Sequence, residues 1–516
     1  MGFDIKMRLE RWFQKTVQGH PGKMALVTVD EKVTYSELDA LSDAYAAFLQ
    51  SRAVVPGDKV LACMHNSVSS VALLLACSKA GAVFCPANWR LSCEELAALL
   101  DVEPFALAVV DASLLGVLSN AVDHSRCDID IVLNEELDRK GAAFKPIDEI
   151  IDDSDIALQL FTSGTEGVPK GVLLSHDSLC LYAEAYSKAS DWRCDDVYET
   201  SANIFHMAGF SAIVGLLLGN TVVLMDRFRM NDFIGFMVRE RVTRVSLVPT
   251  LIMSIIHQPT FNPADFDNVR RLVYGGAPML PQQLSEVGDK LSCAMEVAYG
   301  STETCNISIL TPSDHARIMR GDLPIEKLSS VGKPIEDVEV KIVSSKGERL
   351  PVGETGEIVV RSPYMYRGYS NAPEVVGIDG EGFHHTGDVG YLDADGYLYL
   401  VERKHDMIVC GGENIYPKEV EKCILDMEDD VRDAAIVGLA NEYWGEIVVA
   451  FIVKQPGSSV EAHDVVDFCK RKIASYKKPK RVYFVESLPL NSNGKVDKRR
   501  LRRSAAELEQ RSVLAN

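Results

Sequence analysis

Short apolar runs alternate with stretches of helical period over most of the chain, and no other feature narrows its possible folds as far. Between about Val33 and Val110 the pattern YSELDALSDAYAAFLQ has helical spacing, while DKVLACM and FALAVVD are short apolar runs of strand type. The rhythm returns in TVVLMDRF, RVTRVSLVPT and NVRRLVYGGAP, the last two running into proline or glycine. Strands separated by helices pair largely in parallel and are covered by helices, so an α/β fold is expected.

The chain has 516 residues, more than one hydrophobic core usually supports, so at least two domains are expected. From Ser329 to Leu400 the texture changes to short alternating strands, VEVKIV, ETGEIVVRS and GYLDADGYLYLVER, with Asp395-Gly396 as a hairpin turn. After Arg403 the order reads strand (DMIVCG), helix (YPKEVEKCILDM), strand (DAAIVGLA), strand (EIVVAFIV), helix (AHDVVDFCKRKI) and strand (RVYFVE). The expected architecture is therefore a large N-terminal domain, 1–403, with α/β sub-domains and a small β-rich sub-domain, followed by a small α+β domain, 404–516.

A formal net charge of −20 argues against a general nucleic-acid binder, which needs a basic surface. The twelve cysteines form no C-x-x-C pair and no zinc spacing, and read as reduced thiols. The start MGFDIKMRLERWFQKT has neither a signal peptide's apolar stretch nor a myristoylation site, Lys6 standing where Ser or Thr is wanted. Lys79 and Gly219-Asn220 break the longest apolar runs, so no membrane span is expected. A soluble cytoplasmic protein, monomer or homodimer, is the expectation.

The segment ALQLFTSGTEGVPKGVLLSH joins two apolar runs through glycines, hydroxyls and a lysine. Glycines admit backbone N–H groups to an anion, hydroxyls add donors, and lysine adds charge, a composition suited to phosphates. It is not a Walker A loop, because Val168-Pro169 follow Gly167 and Gly171 follows Lys170. The same string, with HMAG at His206, YGGAP at Tyr274, YGSTE at Tyr299, TGD at Thr386, ERKHDMIVCGGENIYP from Glu402 and LNSNGK ending at Lys495, resembles the adenylate-forming superfamily of acyl-CoA synthetases, adenylation domains and beetle luciferases. The motifs stand in the family's order across almost the whole chain.

The resemblance implies an ATP-dependent acid–thiol ligase. A carboxylate attacks the α-phosphorus of Mg-ATP, pyrophosphate leaves, and the acyl group passes from the adenylate to coenzyme A. It implies that Thr162, Ser163, Gly164, Thr165, Glu166, Gly167 and Lys170 form the loop over the β- and γ-phosphates. By the same resemblance Thr302 touches the α-phosphate and Glu303 holds Mg2+; magnesium's preference for hard oxygen ligands suits one carboxylate plus phosphates. Read alone, Ser301-Thr302-Glu303 equally fits a helix N-terminus with an acidic first turn. Asp388 and Arg403 match the residues that contact the ribose, and Gly276, Ala277, Tyr299, Gly300 and Ser301 the rest of the nucleotide site. Lys495 looks like the catalytic lysine, although the chain from Lys470 to Arg503 is crowded with basic residues.

The small domain is implied to turn between the two half-reactions. The hinge position is His405, where the family usually has Asp or Lys, and a histidine there brings a charge change near neutral pH. Gly411, Gly412 and Glu413 resemble the loop that lines the pantetheine tunnel. His206, Met207, Phe210, Gly275, Ala298, Gly300, Cys305 and Asn306 align with positions facing the acyl group. Met207 stands where amino-acid-selecting domains carry an Asp, so an aromatic acid or a short to medium fatty acid is expected rather than an amino acid. A carrier-protein phosphopantetheine is the alternative acceptor.

Overall fold

The computed structural model describes residues 8–137, 155–162, 169–275, 279, 281–371, 377–403, 406–410, 413–441, 444–473, 475, 477–491 and 495–514. The chain divides into two compact units. The first comprises Met1–Val340, Val360–His385 and Asp395–Leu398, and the second Lys341–Val359, Thr386–Ala394 and Tyr399–Asn516.

The alternating pattern becomes two α/β sheets in the first unit. One has six strands, of which Ile131–Leu133, Leu107–Val110, Lys59–Cys63, Val83–Pro86 and Ile156–Thr162 run parallel and Lys170–Ser175 closes the edge antiparallel. The other has nine; its parallel centre is Ala294–Ser301, Arg271–Gly275, Arg244–Leu247, Val197–Thr200, Thr221–Leu224 and Met24–Val27, and the edge strands are antiparallel. The helices start where the sequence supplies caps. Thr34, Ser67 and Ser92 each accept through the side chain from the backbone N–H three residues on, and each in return donates its own N–H to the side chain of Glu37, Ser70 and Glu95 respectively. Gly81, at φ 69°, ends the apolar helix Val68–Ala80 in the left-handed conformation such an end prefers.

Four successive strands, Glu339–Val343, Gly356–Arg361, His384–Leu392 and Leu398–Arg403, form a sheet in chain order, with Gly396 at φ 82° in the expected turn. In the second unit Ile408–Cys410, Val431–Asn441, Gly445–Lys454 and Arg481–Phe484 are strands and Pro417–Leu425 and Ala462–Lys472 helices, matching the expected order. Two elements were not expected, the short strand Glu413–Ile415 and the long terminal helix Lys498–Leu514. Leu501 and Ala505 of that helix are buried against Val437 and Phe451, a stripe hidden in the sequence by its basic residues.

Two histidines of the first unit are held neutral by burial, His176 with its pKa lowered to about 3 and His315 to about 4. The unfolded chain protonates histidine near pH 6.5, so below that pH the unfolded state binds protons the native state refuses. Stability should therefore fall as pH drops from about 6.5 towards 4. Thermal midpoints at stepped pH are expected to show this fall, and His315→Gln to make it shallower.

Candidate active site

The arms of the phosphate-loop segment are the antiparallel strands Ile156–Thr162 and Lys170–Ser175, with Thr162 directly opposite Lys170. Ser163, Gly164, Thr165, Glu166 and Gly167 lie outside the described residues, as do Gly276 and Ala277. Gly171 follows the lysine because a Cβ there would collide with Gln159 and Ser370. The base of the loop is tied to a distant segment that carries none of the sequence motifs, residues 366–371. The Asn371 side chain accepts from the Gly171 N–H (3.1 Å) and donates to the Pro169 carbonyl (2.7 Å). The Ser370 N–H donates to the Gly171 carbonyl, Leu173 N–H to Gly368, and Arg367 N–H to Leu173.

Tyr299 to Glu303 is no helix N-terminus. Strand Ala294–Ser301 turns back into Cys305–Leu310, with a register shift between Tyr299 and Gly300. Ser301 N–H donates to Thr304 Oγ1 (3.1 Å) and Thr304 N–H to Ser301 Oγ (3.3 Å), which closes the turn and leaves Thr302 and Glu303 at its tip. Gly300 is required by this turn, since a Cβ would fall on the Cys305 carbonyl and 2.8 Å from Asn306 Cα. Gly300→Ala should cost about 1–3 kcal/mol of stability by forcing the backbone apart. It should also displace Thr302 and Glu303, read as a raised KM for ATP beside a lowered thermal midpoint.

Glu303 is met by the same distant segment. The Tyr369 phenol donates to Glu303 Oε1 (3.1 Å), and the Tyr366 N–H donates to the Glu303 carbonyl (2.9 Å). Lys170 Nζ lies over the Tyr369 ring, 5.2 Å from its centroid. Burial, and then the charge of Glu303, hold the Tyr369 phenol above its usual pKa, so it remains a donor at neutral pH. Among the described residues no three His, Cys, Asp or Glu side chains gather as a metal cage. A single carboxylate on a turn does fit Mg2+, which keeps waters and takes phosphate oxygens as its other ligands.

His206 leads into the tight turn Met207–Gly209 and the buried helix Phe210–Leu217. Gly209 is demanded there because a Cβ would strike the Asn203 carbonyl. The Asn66 amide holds the approach to His206, donating to the Ala202 and Met225 carbonyls and accepting from the Ile204 N–H, each at 3.0 Å. Phe210 and Cys305 are buried, and Asn306 donates to the Tyr182 hydroxyl at 3.0 Å. Tyr182 stacks on Tyr186 at 5.6 Å and lies 6.3 Å from Phe210 and 6.0 Å from Tyr364. These tyrosines escaped the sequence reading; the four-residue spacing of Tyr182 and Tyr186 on one helix was the available signal. Gly275 and Ala298 are register partners on neighbouring parallel strands.

The remaining candidates belong to the second unit. Asp388 lies in the strand His384–Leu392, its N–H donating to Thr386 Oγ1 (3.0 Å) while that hydroxyl donates to the Ile358 carbonyl (2.8 Å). Arg403 ends a strand and Glu413 begins one, whereas His405, Gly411 and Gly412 lie outside the described residues. Lys495 is exposed. Its N–H donates to Asn491 Oδ1 (3.0 Å), the Asn491 N–H returns to the Lys495 carbonyl (2.7 Å), and Leu490 bridges Val496.

Residues 13–370 match the family model described as AMP-binding enzyme, and residues 419–495 that described as AMP-binding enzyme C-terminal domain. The chain is similar to the indoleacetate–CoA ligase of Aromatoleum aromaticum, with 32% identity over 515 residues, 97% of this chain and 98% of that one. It is similar to the fatty acid–acyl-carrier-protein ligase ScoC of Streptomyces coeruleorubidus, with 31% identity over 497 residues, 94% of each chain. Among solved structures, the o-succinylbenzoate CoA synthetase MenE of Bacillus subtilis in complex with its acyl-adenylate intermediate matches at a TM-score of 0.84 and 30% identity, over 96% of this chain and 98% of that one.

Proposed function

The chain belongs to the AMP-binding enzyme family, and from that premise we propose that it activates a carboxylic acid with Mg-ATP and transfers the acyl group to coenzyme A. The acid's carboxylate attacks the α-phosphorus, pyrophosphate leaves, and an acyl-adenylate forms. The thiol of coenzyme A then attacks the adenylate's carbonyl carbon and AMP leaves. The observation that carries this reading is the arrangement around Tyr369, which joins a carboxylate suited to Mg2+ and a phosphate-loop lysine through one side chain.

In this reading Lys170 and the loop from Thr162 to Gly167 meet the β- and γ-phosphates, and Thr302 donates to the α-phosphate. Glu303 holds Mg2+, whose charge offsets that accumulating on the phosphates. Asp388 accepts from the ribose hydroxyls, Arg403 is assigned a contact to the same ribose, and Gly276, Ala277 and Tyr299 flank the adenine. Fixed donors and cations around the transferring group act by positioning and electrostatic stabilisation. Residues 1–403 form the nucleotide- and acyl-binding part and 404–516 the part that turns at His405 between steps. His405→Lys is expected to flatten the pH profile of thioester formation between about pH 6 and 8, and an unchanged profile would remove titration of this residue from the account.

The acid is assigned by class as aromatic or short to medium aliphatic, supported by the apolar and aromatic setting of Phe210 and Cys305. The similarity to ScoC supports a second acceptor, a carrier-protein phosphopantetheine. A cytoplasmic location is part of the same proposal and accords with twelve free cysteines; among the described residues no helix is long and apolar enough to cross a membrane. Acid-dependent ATP–pyrophosphate exchange over a panel of aryl and alkyl acids tests the first step. Thioester formation with coenzyme A against a holo-carrier protein tests the second. Exchange with none of the acids would overturn the adenylation reading.

A further inference from the structure

We infer that Tyr369 is a positioning residue for the metal–nucleotide complex, holding the Glu303 carboxylate in its binding orientation while keeping the Lys170 ammonium apart from it. The inference rests on the reading of Glu303 and Lys170 given above, and it concerns a residue that no motif of the site includes.

The Glu303 side chain sits at the tip of a turn, and a glutamate there loses rotamer freedom each time it takes up one orientation. Its Oε1 is occupied by the Tyr369 hydroxyl, so the ordering is already in place before nucleotide binds and Oε2 is left for the metal's water shell. Lys170 meets the face of the same ring rather than the carboxylate. A direct Lys170–Glu303 pair would have to be broken for each charge to reach its own target, phosphate for one and metal for the other. The aromatic face offers the ammonium a weaker resting place than a carboxylate would.

The phenol can do this because its backbone is tied to a neighbouring strand on both sides. Tyr369 pairs with Val172 in an antiparallel bridge. On either side of it the Gly368 carbonyl accepts from Leu173 N–H (3.0 Å) and the Ser370 N–H donates to Gly171 (2.8 Å). The strand so gripped is the one that begins at Lys170, and Tyr366 of the same segment grips the backbone of Glu303. One rigid strap therefore fixes the spacing between the loop's lysine and the turn's carboxylate.

The test is calorimetric titration of ATP with excess Mg2+ and again in EDTA, so that the readout is the gain in affinity the metal brings rather than turnover. Tyr369→Phe keeps the ring and loses the hydroxyl. It is expected to lose about tenfold of that gain, the scale of a hydrogen bond to a charged group, with the EDTA affinity and thermal midpoint close to wild type. Tyr369→Leu should weaken binding in EDTA as well, because Lys170 loses its platform. In Glu303→Gln the gain should already be diminished, and adding Tyr369→Phe should diminish it no further.

A Tyr369→Phe protein with the full wild-type gain would overturn the inference while leaving Glu303 as the metal residue. A Glu303→Gln protein with the full gain would overturn that reading of Glu303 and the inference with it. Additive losses in the double variant would show that Tyr369 acts independently of Glu303, and would also sink the proposal.

Discussion

Replacement of Lys495 by alanine is expected to slow acyl-adenylate formation by about 100-fold or more, the usual scale for removing one pre-organised transition-state charge, with ATP affinity little changed. That scale applies if the charge is pre-organised, and the reciprocal tie between Asn491 and Lys495 favours this. Two reciprocal bonds, Lys495 N–H to Asn491 Oδ1 and Asn491 N–H to the Lys495 carbonyl, set the backbone from which the side chain rises. The neighbouring basic residues stand instead on the helix Lys498–Leu514. An interaction realised only in the transition state lowers the rate and spares binding when it is lost. Pyrophosphate release with a saturating acid, beside calorimetric ATP binding, separates the two effects. Chemically supplied acyl-adenylate should still pass its acyl group to coenzyme A in the variant. Wild-type pyrophosphate release would move the role to another lysine.

The second large effect concerns stability. Glu296→Leu should destabilise the first unit by about 3–5 kcal/mol, the cost of stranding a buried charge. Glu296 and Arg244 are both fully buried, with Arg244 Nη2 3.6 Å from Glu296 Oε1 and Arg271 Nη1 3.7 Å from Oε2. Arg244 also lies over the Trp192 ring at 4.3 Å and donates to the Ser190 carbonyl at 3.0 Å. Burial pushes the Glu296 carboxyl up, and the two arginines pull it back towards the charged form. Remove the carboxylate and two guanidinium groups face an apolar side chain. The double variant Arg244→Met with Glu296→Leu should recover part of the loss, because a buried pair is costlier to break than to replace. Thermal midpoints of the three proteins measure this, and a Glu296→Leu midpoint equal to wild type would show that solvent reaches the pair. Arg244 and Arg271 open adjacent parallel strands, whereas Gly275 and Ser301 close theirs, so the surviving folded fraction should keep its KM values.

The order of elements was largely legible from residue 404 onward, because alternation and helical spacing are properties of adjacent residues. The terminal helix was not. Leu501 and Ala505 are its buried contacts, and Lys498 to Arg503 mask them with charge. The site shows the same division. Lys170, Glu303 and Lys495 stood out through their motifs, while Tyr369, Asn371 and Tyr182 sit in stretches whose local pattern says only strand, turn or helix.

What the sequence determined by itself is the chemistry available and the local shape that presents it: glycines where a side chain would strike the backbone, as at Gly300 and Gly209, and a turn that lifts Lys495. Only the tertiary structure decided which charges are buried and which partners meet. Tyr369 reaches Glu303 across 66 positions and Ser370 reaches Gly171 across 199. Such contacts follow from strand order and register, where a one-residue slip turns every side chain to the opposite face. Periodicity shows that a strand exists; its neighbours are chosen by the packing of the whole sheet.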